Sequence, residues 1–120
     1  MTVDLLKSKI HNARITDSIL YYEGSLGIDL DLLDEAGMYP YEKITVVNTT
    51  NGERLTTYAI PCDRGSRTFR LNGAAARKGE VGDMITIMSF ASFSEEEAGS
   101  YKPQIVVLDA DNEIEKKRHC

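Results

Sequence analysis

K-I-T-V-V-N-T-T-N-G-E-R-L-T-T-Y-A-I, residues 43–60, carries the clearest strand and turn signals of the chain. Lys43 to Thr50 and Leu55 to Ile60 are rich in β-branched residues, which suit the pleated, half-buried surface of a sheet. Between them stand Asn51 and Gly52, the strongest short hairpin signal, so the stretch predicts two antiparallel strands. Side chains alternate along a strand. Arg54, Thr56 and Tyr58 therefore share one face, and Thr57 takes the other unless a bulge shifts the register.

Working outward, Leu5 to Ile15 alternates loosely and predicts a strand on which Lys9 and His11 point the same way. Asp29 to Ala36 predicts a short helix: Asp29 caps it, Leu32, Leu33 and Ala36 form its apolar stripe, and Gly37 supplies the left-handed stop. Pro40 forces an extended turn. Beyond the hairpin, Asp63–Ser66 is a turn, Thr68–Leu71 a short strand, and Asn72 to Ala76 a tight strand-to-helix turn of small residues that lets a ligand approach the backbone. Gly79–Asp83 turns into an apolar strand, Met84–Phe90. Ser94 with Glu95, Glu96 and Glu97 starts a second helix through a capping box, and Gln104–Leu108 is a last strand. The fold class expected is mainly β, a small β-barrel with short helices. Residues 1–112 form its single domain, and the charged tail, 113–120, is expected to fray.

Size and composition exclude several classes of function. The chain has 120 residues, enough for one core and too few for two. No apolar run reaches the roughly 18 residues that span a bilayer. Asp4, Lys7 and Lys9 interrupt the start, so no secretory signal is read and the expected location is cytoplasmic. Two cysteines, Cys62 and Cys120, make neither a disulfide framework nor a metal cluster. A net charge of −5 argues against nucleic acid as the main partner. It leaves room for a small anion in a local basic pocket. No Ser-His-Asp order, HExxH motif or phosphate loop is present.

The chemistry that remains lies in one peptide bond. Tyr22, Glu23, Gly24 and Ser25 form a polar break between the first strand and the first helix. A Gly-Ser pair alone usually marks a turn. Yet a serine that follows an unshielded glycine carbonyl can swing its hydroxyl onto that carbon and turn the amide into an ester. Loss of the Ser25 α-proton would then split the chain by elimination. Hydrolysis of the resulting dehydroalanine would leave a pyruvoyl group at residue 25 and release ammonia.

Taken together, five separated segments resemble the L-aspartate 1-decarboxylase family: Lys9 with His11; Tyr22 to Ser25 with Ile28 and Asp29; Asn51 to Ile60; Arg64, Gly65 and Ser66; and Asn72 to Ala76. The resemblance runs to about Asn112. Leu26 and Gly27 fall at variable positions, and Val47 stands where many members carry tryptophan. The resemblance implies a double-psi β-barrel, self-cleavage between Gly24 and Ser25, and a homotetramer with sites between neighbouring subunits. It also implies decarboxylation of L-aspartate to β-alanine for pantothenate synthesis, through a Schiff base with a pyruvoyl cofactor made from Ser25. No metal is expected, and a maturation factor is left open. Lys9 and Arg54 are the cations expected to converge on a dianionic substrate, Arg54 by a two-pronged grip. Tyr58 is the expected proton donor, and Thr57 is expected to hold the Gly24 carbonyl. His11, Tyr22, Asn72, Gly73, Ala74 and Ala75 line the expected pocket. Two alternatives stand beside this reading: a non-enzymatic β-barrel binding module, and a pyruvoyl decarboxylase for another amino acid.

Overall fold

The structure, a computed structural model, describes residues 1–119. Nine strands carry the fold: β1 (Thr2–Arg14), β2 (Asp17–Ile19), β3 (Ser25–Asp29), β4 (Lys43–Asn48), β5 (Arg54–Cys62), β6 (Phe69–Asn72), β7 (Met84–Ser94), β8 (Gln104–Leu108) and β9 (Ile114–His119). Two short α-helices, α1 (Leu30–Ala36) and α2 (Glu95–Ala98), and a 3-10 helix, Gly73–Lys78, fill the connections. The strands join in the order β2-β6-β3-β5-β4-β7-β1-β8-β9. Three parallel pairs (β2 with β6, β3 with β5, β1 with β8) are set among five antiparallel ones, the mixed connectivity of a small β-barrel. This is the mainly β fold that the sequence predicts.

One face of this sheet packs the core. Ile10, Leu26, Ile28, Ile44, Val46, Ala59, Phe69, Leu71, Ile85 and Ile87 are buried there together. Helix α1 closes one end. Its Asp29 cap accepts a hydrogen bond from Asp31 N at 2.8 Å, Gly37 ends it at φ 70°, and Leu32, Leu33 and Ala36 are buried. Each buried leucine contributes about 2 kcal/mol of apolar burial. Asp29 also accepts bonds from Gly65 N (3.1 Å) and Arg67 N (2.7 Å), which ties the helix start to the turn before β6. The capping box at α2 forms as predicted, with Ser94 and Glu97 bonded reciprocally.

The structure adds a short strand, β2, that the sequence reading lacks and carries β7 past Phe90 to Ser94, and it differs further at the hairpin loop and the tail. The β4–β5 hairpin forms, but its loop runs from Thr49 to Gly52. Asn48 N donates to Glu53 O at 2.8 Å and Gly52 N to Asn48 O at 2.8 Å. Buried Asn48 is the reason: its Oδ1 accepts from Thr50 N and Asn51 N, while its Nδ2 donates to Lys78 O and to Asp83.

The tail, expected to fray after residue 112, instead pairs antiparallel with β8, Ile105 opposite Arg118 and Val107 opposite Lys116. Backbone pairing to a free sheet edge does not depend on apolar side chains, and a charged edge strand discourages further pairing. The turn before it is fixed by Asn112, whose Nδ2 donates to Arg14 O and Arg67 O at 3.0 Å each. Cys120 lies outside the described residues.

Candidate active site

Ser25 is the first residue of strand β3. Leu26 pairs with Ala59 of parallel β5, and both are fully buried in the core. Side chains alternate, so Ser25 and Tyr58, one residue back on each strand, face away from the core side by side. On its other side Ser25 pairs with Asn72 of β6. Ser25 is 0% exposed, and Asn72 Nδ2 donates to its Oγ at 2.9 Å. The hydroxyl in turn donates to Glu23 O at 3.2 Å. A buried hydroxyl held by a side-chain amide is positioned, not merely tolerated.

Gly73 explains the small residues that follow. Its φ is +63°, and a Cβ there would lie 2.5 Å from Tyr22 O and 2.8 Å from Gly24 N. The segment that approaches the Gly73 backbone is therefore the chain's own Tyr22–Gly24 main chain. Ala75 is buried and Ala74 is exposed. Gly24 itself has open space around a built Cβ and does not adopt the left-handed region. The unshielded carbonyl, not an unusual backbone angle, is what this glycine offers in the uncut chain.

The remaining candidates spread across the same outer face. Tyr58 pairs with Lys43; Thr56 pairs with Thr45, then Met88, then Lys9; Arg54 pairs with Val47, then Thr86. Thr86 completes that last row through His11, with Oγ1 3.2 Å from Nδ1. Thus Asn72, Ser25, Tyr58, Arg54, Lys9 and His11 all occupy one face of the sheet. Along the sheet they are spread widely. β1 lies four strand positions from β3 and three from β5, roughly 19 Å and 14 Å along the sheet.

The site residues thus fall into two groups. Ser25, Tyr58, Asn72 and Gly73 surround the Gly24–Ser25 bond, and Lys9 and His11 stand apart with Arg54 between. The Tyr22 side chain is exposed.

Thr57 follows the simple alternation. The β4–β5 register is unbroken from Arg54 to Tyr58, which puts Thr57 on the core side opposite Ile44. A bulge does occur, but one residue later: Ala59 N donates to Glu42 O while its carbonyl accepts from Tyr41 N, with Tyr41 at φ 71°. Extending the β3–β5 register two residues back sets Gly24 alongside Thr57.

Electrostatics distinguish the second group. His11 has its pKa lowered, first by burial and then by the charges of Lys9 and Arg118, so it is held toward the neutral form. Arg118 belongs to the tail strand and gave no sequence signal of a place near the site. Half-buried Cys62 has its pKa raised chiefly by burial, which suits an inert thiol.

A family model described as aspartate decarboxylase matches residues 1–115. The chain belongs to the aspartate decarboxylase family. It is 56% identical over 119 residues to the aspartate 1-decarboxylase of Chlorobium chlorochromatii, covering 99% of this chain and 92% of the relative. It is 53% identical over 110 residues to that of Tolumonas auensis, covering 92% and 87%. The aspartate 1-decarboxylase of Bordetella pertussis is 47% identical over 114 residues, covering 95% and 93%. Within this family the pairing of Ser25 with Asn72 falls inside the matched region, as do the Lys9, His11 and Arg54 positions. No helix of the described residues is long and apolar enough to cross a membrane.

Proposed function

We propose that this chain removes the α-carboxylate of L-aspartate to give β-alanine and carbon dioxide, supplying pantothenate synthesis in the cytoplasm. It first cuts itself between Gly24 and Ser25 and carries a pyruvoyl group at residue 25. The observation that carries this reading is the buried Ser25 hydroxyl held by Asn72 in a chain of the aspartate decarboxylase family.

Self-cleavage begins when Ser25 Oγ bonds to the Gly24 carbonyl carbon and the Gly24–Ser25 C–N bond breaks, its nitrogen taking the proton. Loss of the Ser25 α-proton then expels Oγ from Cβ as part of the Gly24 carboxylate. The Asn72 amide already points at Oγ. It can therefore steady the charge that develops on that oxygen as it leaves. The register that sets Gly24 beside Thr57 supports a second donor, the Thr57 hydroxyl, acting on the Gly24 carbonyl during attack.

The residues fit the group that would form. Residue 25 is enclosed, is flanked by the Asn72 donor, and lies beside Tyr58. A pyruvoyl group supplies a ketone that binds the substrate amine and an electron sink for the carboxylate's departure. The chain's own residues do the rest. Arg54 grips a substrate carboxylate with parallel N–H donors, Lys9 and His11 add charge and a hydrogen bond, and Tyr58 returns a proton to the former α-carbon. The separation of Lys9 from Ser25 along one sheet supports a site completed by a neighbouring copy, as in a homotetramer.

Two substitutions test this. Arg54→Lys keeps the charge and loses the fork, which removes about one hydrogen bond to a charged group. The KM for aspartate in processed protein should rise about 10-fold or more. An unchanged KM removes Arg54 from substrate binding, and preferential turnover of glutamate would replace the substrate.

Gly73→Ala adds a methyl group that collides with the Tyr22–Gly24 main chain. Displacing the scissile bond by about 1 Å can slow reaction roughly 100-fold. Cleavage followed on a denaturing gel should be slowed to that extent while circular dichroism stays native. Cleavage at the unmodified rate would show that Gly73 does not position the bond.

A further inference from the structure

We propose that Thr86 is a positioning residue that fixes His11 as its Nε2–H tautomer, so that a neutral imidazole presents a hydrogen-bond donor to the substrate carboxylate beside Lys9. The proposal rests on the reading above, in which His11 takes part in binding aspartate.

The geometry comes from the outer face of the sheet. Thr86 lies on β7 between Val47 and His11, is 5% exposed, and places Oγ1 3.2 Å from His11 Nδ1. Among the described residues this is the one hydrogen bond its side chain makes. A buried hydroxyl left with its proton unpaired loses hydration without compensation. If Nδ1 carried a proton and donated it to Oγ1, the threonine proton would have no acceptor. If the threonine donates to a bare Nδ1, both groups are satisfied. The second arrangement puts the ring proton on Nε2.

The charges around the ring favour the same outcome. Lys9 faces it from its own strand, and β9 brings Arg118 and, across Val107, Lys116. β7 brings Thr86 and β8 brings Val107, neither of them charged. Basic neighbours disfavour imidazolium, and burial acts in the same direction. A neutral ring is useful to an anion only through an N–H. The Nε2–H tautomer provides one, whereas the other tautomer would turn a lone pair toward the carboxylate.

The test uses processed full-length protein and two variants, Thr86→Val, which keeps the shape without the hydroxyl, and Thr86→Ser, which keeps the hydroxyl. Nitrogen-15 NMR reads the tautomer and pKa of His11 directly, with His119→Asn used to separate the signals of the chain's two histidines. Unmodified protein should show Nδ1 bare and Nε2 protonated. Thr86→Val should shift the tautomer ratio toward Nδ1–H by about 5-fold and raise the His11 pKa, because a donor that stabilises the neutral ring is gone. The KM for aspartate should rise by several-fold with kcat little changed, and Thr86→Ser should restore both.

A protonated Nδ1 in the unmodified protein overturns the proposal, as does a His11 pKa that falls in Thr86→Val, since that is the sign for a threonine acting as acceptor. If the tautomer shifts as stated but KM is unmoved in both Thr86→Val and His11→Asn, the failure is of a different kind. His11 then does not bind substrate, and the proposal falls with that reading.

Discussion

Replacing Ser25 with alanine leaves the chain whole and without decarboxylase activity. The substitution removes the one oxygen that can bond to the Gly24 carbonyl carbon. It also removes the acceptor of the Asn72 amide, while the methyl group is smaller than the hydroxymethyl it replaces. Residue 25 sits in a paired strand between β5 and β6, and its burial does not depend on the hydroxyl. The fold should therefore persist. Activity should be lost completely, because no other residue of the chain can supply the ketone. The check is a denaturing gel and an aspartate decarboxylation assay on the same preparation. A Ser25→Ala chain that is still cut at this bond would rule out the acyl shift.

Tyr58→Phe should cost on the order of 100-fold in the rate of β-alanine release, the common size of a lost general acid. Tyr58 is half-buried on the outer face beside Ser25, with Lys43 across the ladder on β4. Its ring would remain in place in the variant, so binding of an unreactive aspartate analogue should hardly change. Only processed protein is compared, since an uncut chain has no ketone and would mimic a catalytic defect. Turnover of processed Tyr58→Phe at the unmodified rate removes the phenol from proton transfer. Water or another pocket group then takes that role.

What could be read from sequence follows from which signals are local. The Asp29 cap, the Gly37 stop and the Ser94 box are written in adjacent residues, and each forms as read. So does the alternation that sends Thr57 inward and Tyr58 outward. The hairpin loop is longer than Asn51 and Gly52 alone because buried Asn48 organises it with them, through bonds to residues some 30 positions away. The tail differs because its partner is a backbone edge, which composition does not reveal.

The site divides in the same way. Ser25, Tyr58 and Asn72 could be named from sequence, but the Asn72–Ser25 hydrogen bond depends on a β3–β6 register that no local pattern specifies. Thr86 lies in a stretch read only as an apolar strand, Met84–Phe90, and its partner lies 75 residues away. Lys9 and Arg54 were expected to converge from two strands, and which strands lie between theirs, β4 and β7, is set by a sheet order that no local pattern specifies.

Self-cleavage is the claim on which the rest depends, and intact mass spectrometry of the purified, unmodified chain tests it most directly. Two pieces should appear, residues 1–24 ending in a free Gly24 carboxylate and residues 25–120 whose first residue is short of one ammonia relative to a serine start. A single mass for the uncut 120-residue chain, persisting after prolonged incubation, would contradict it.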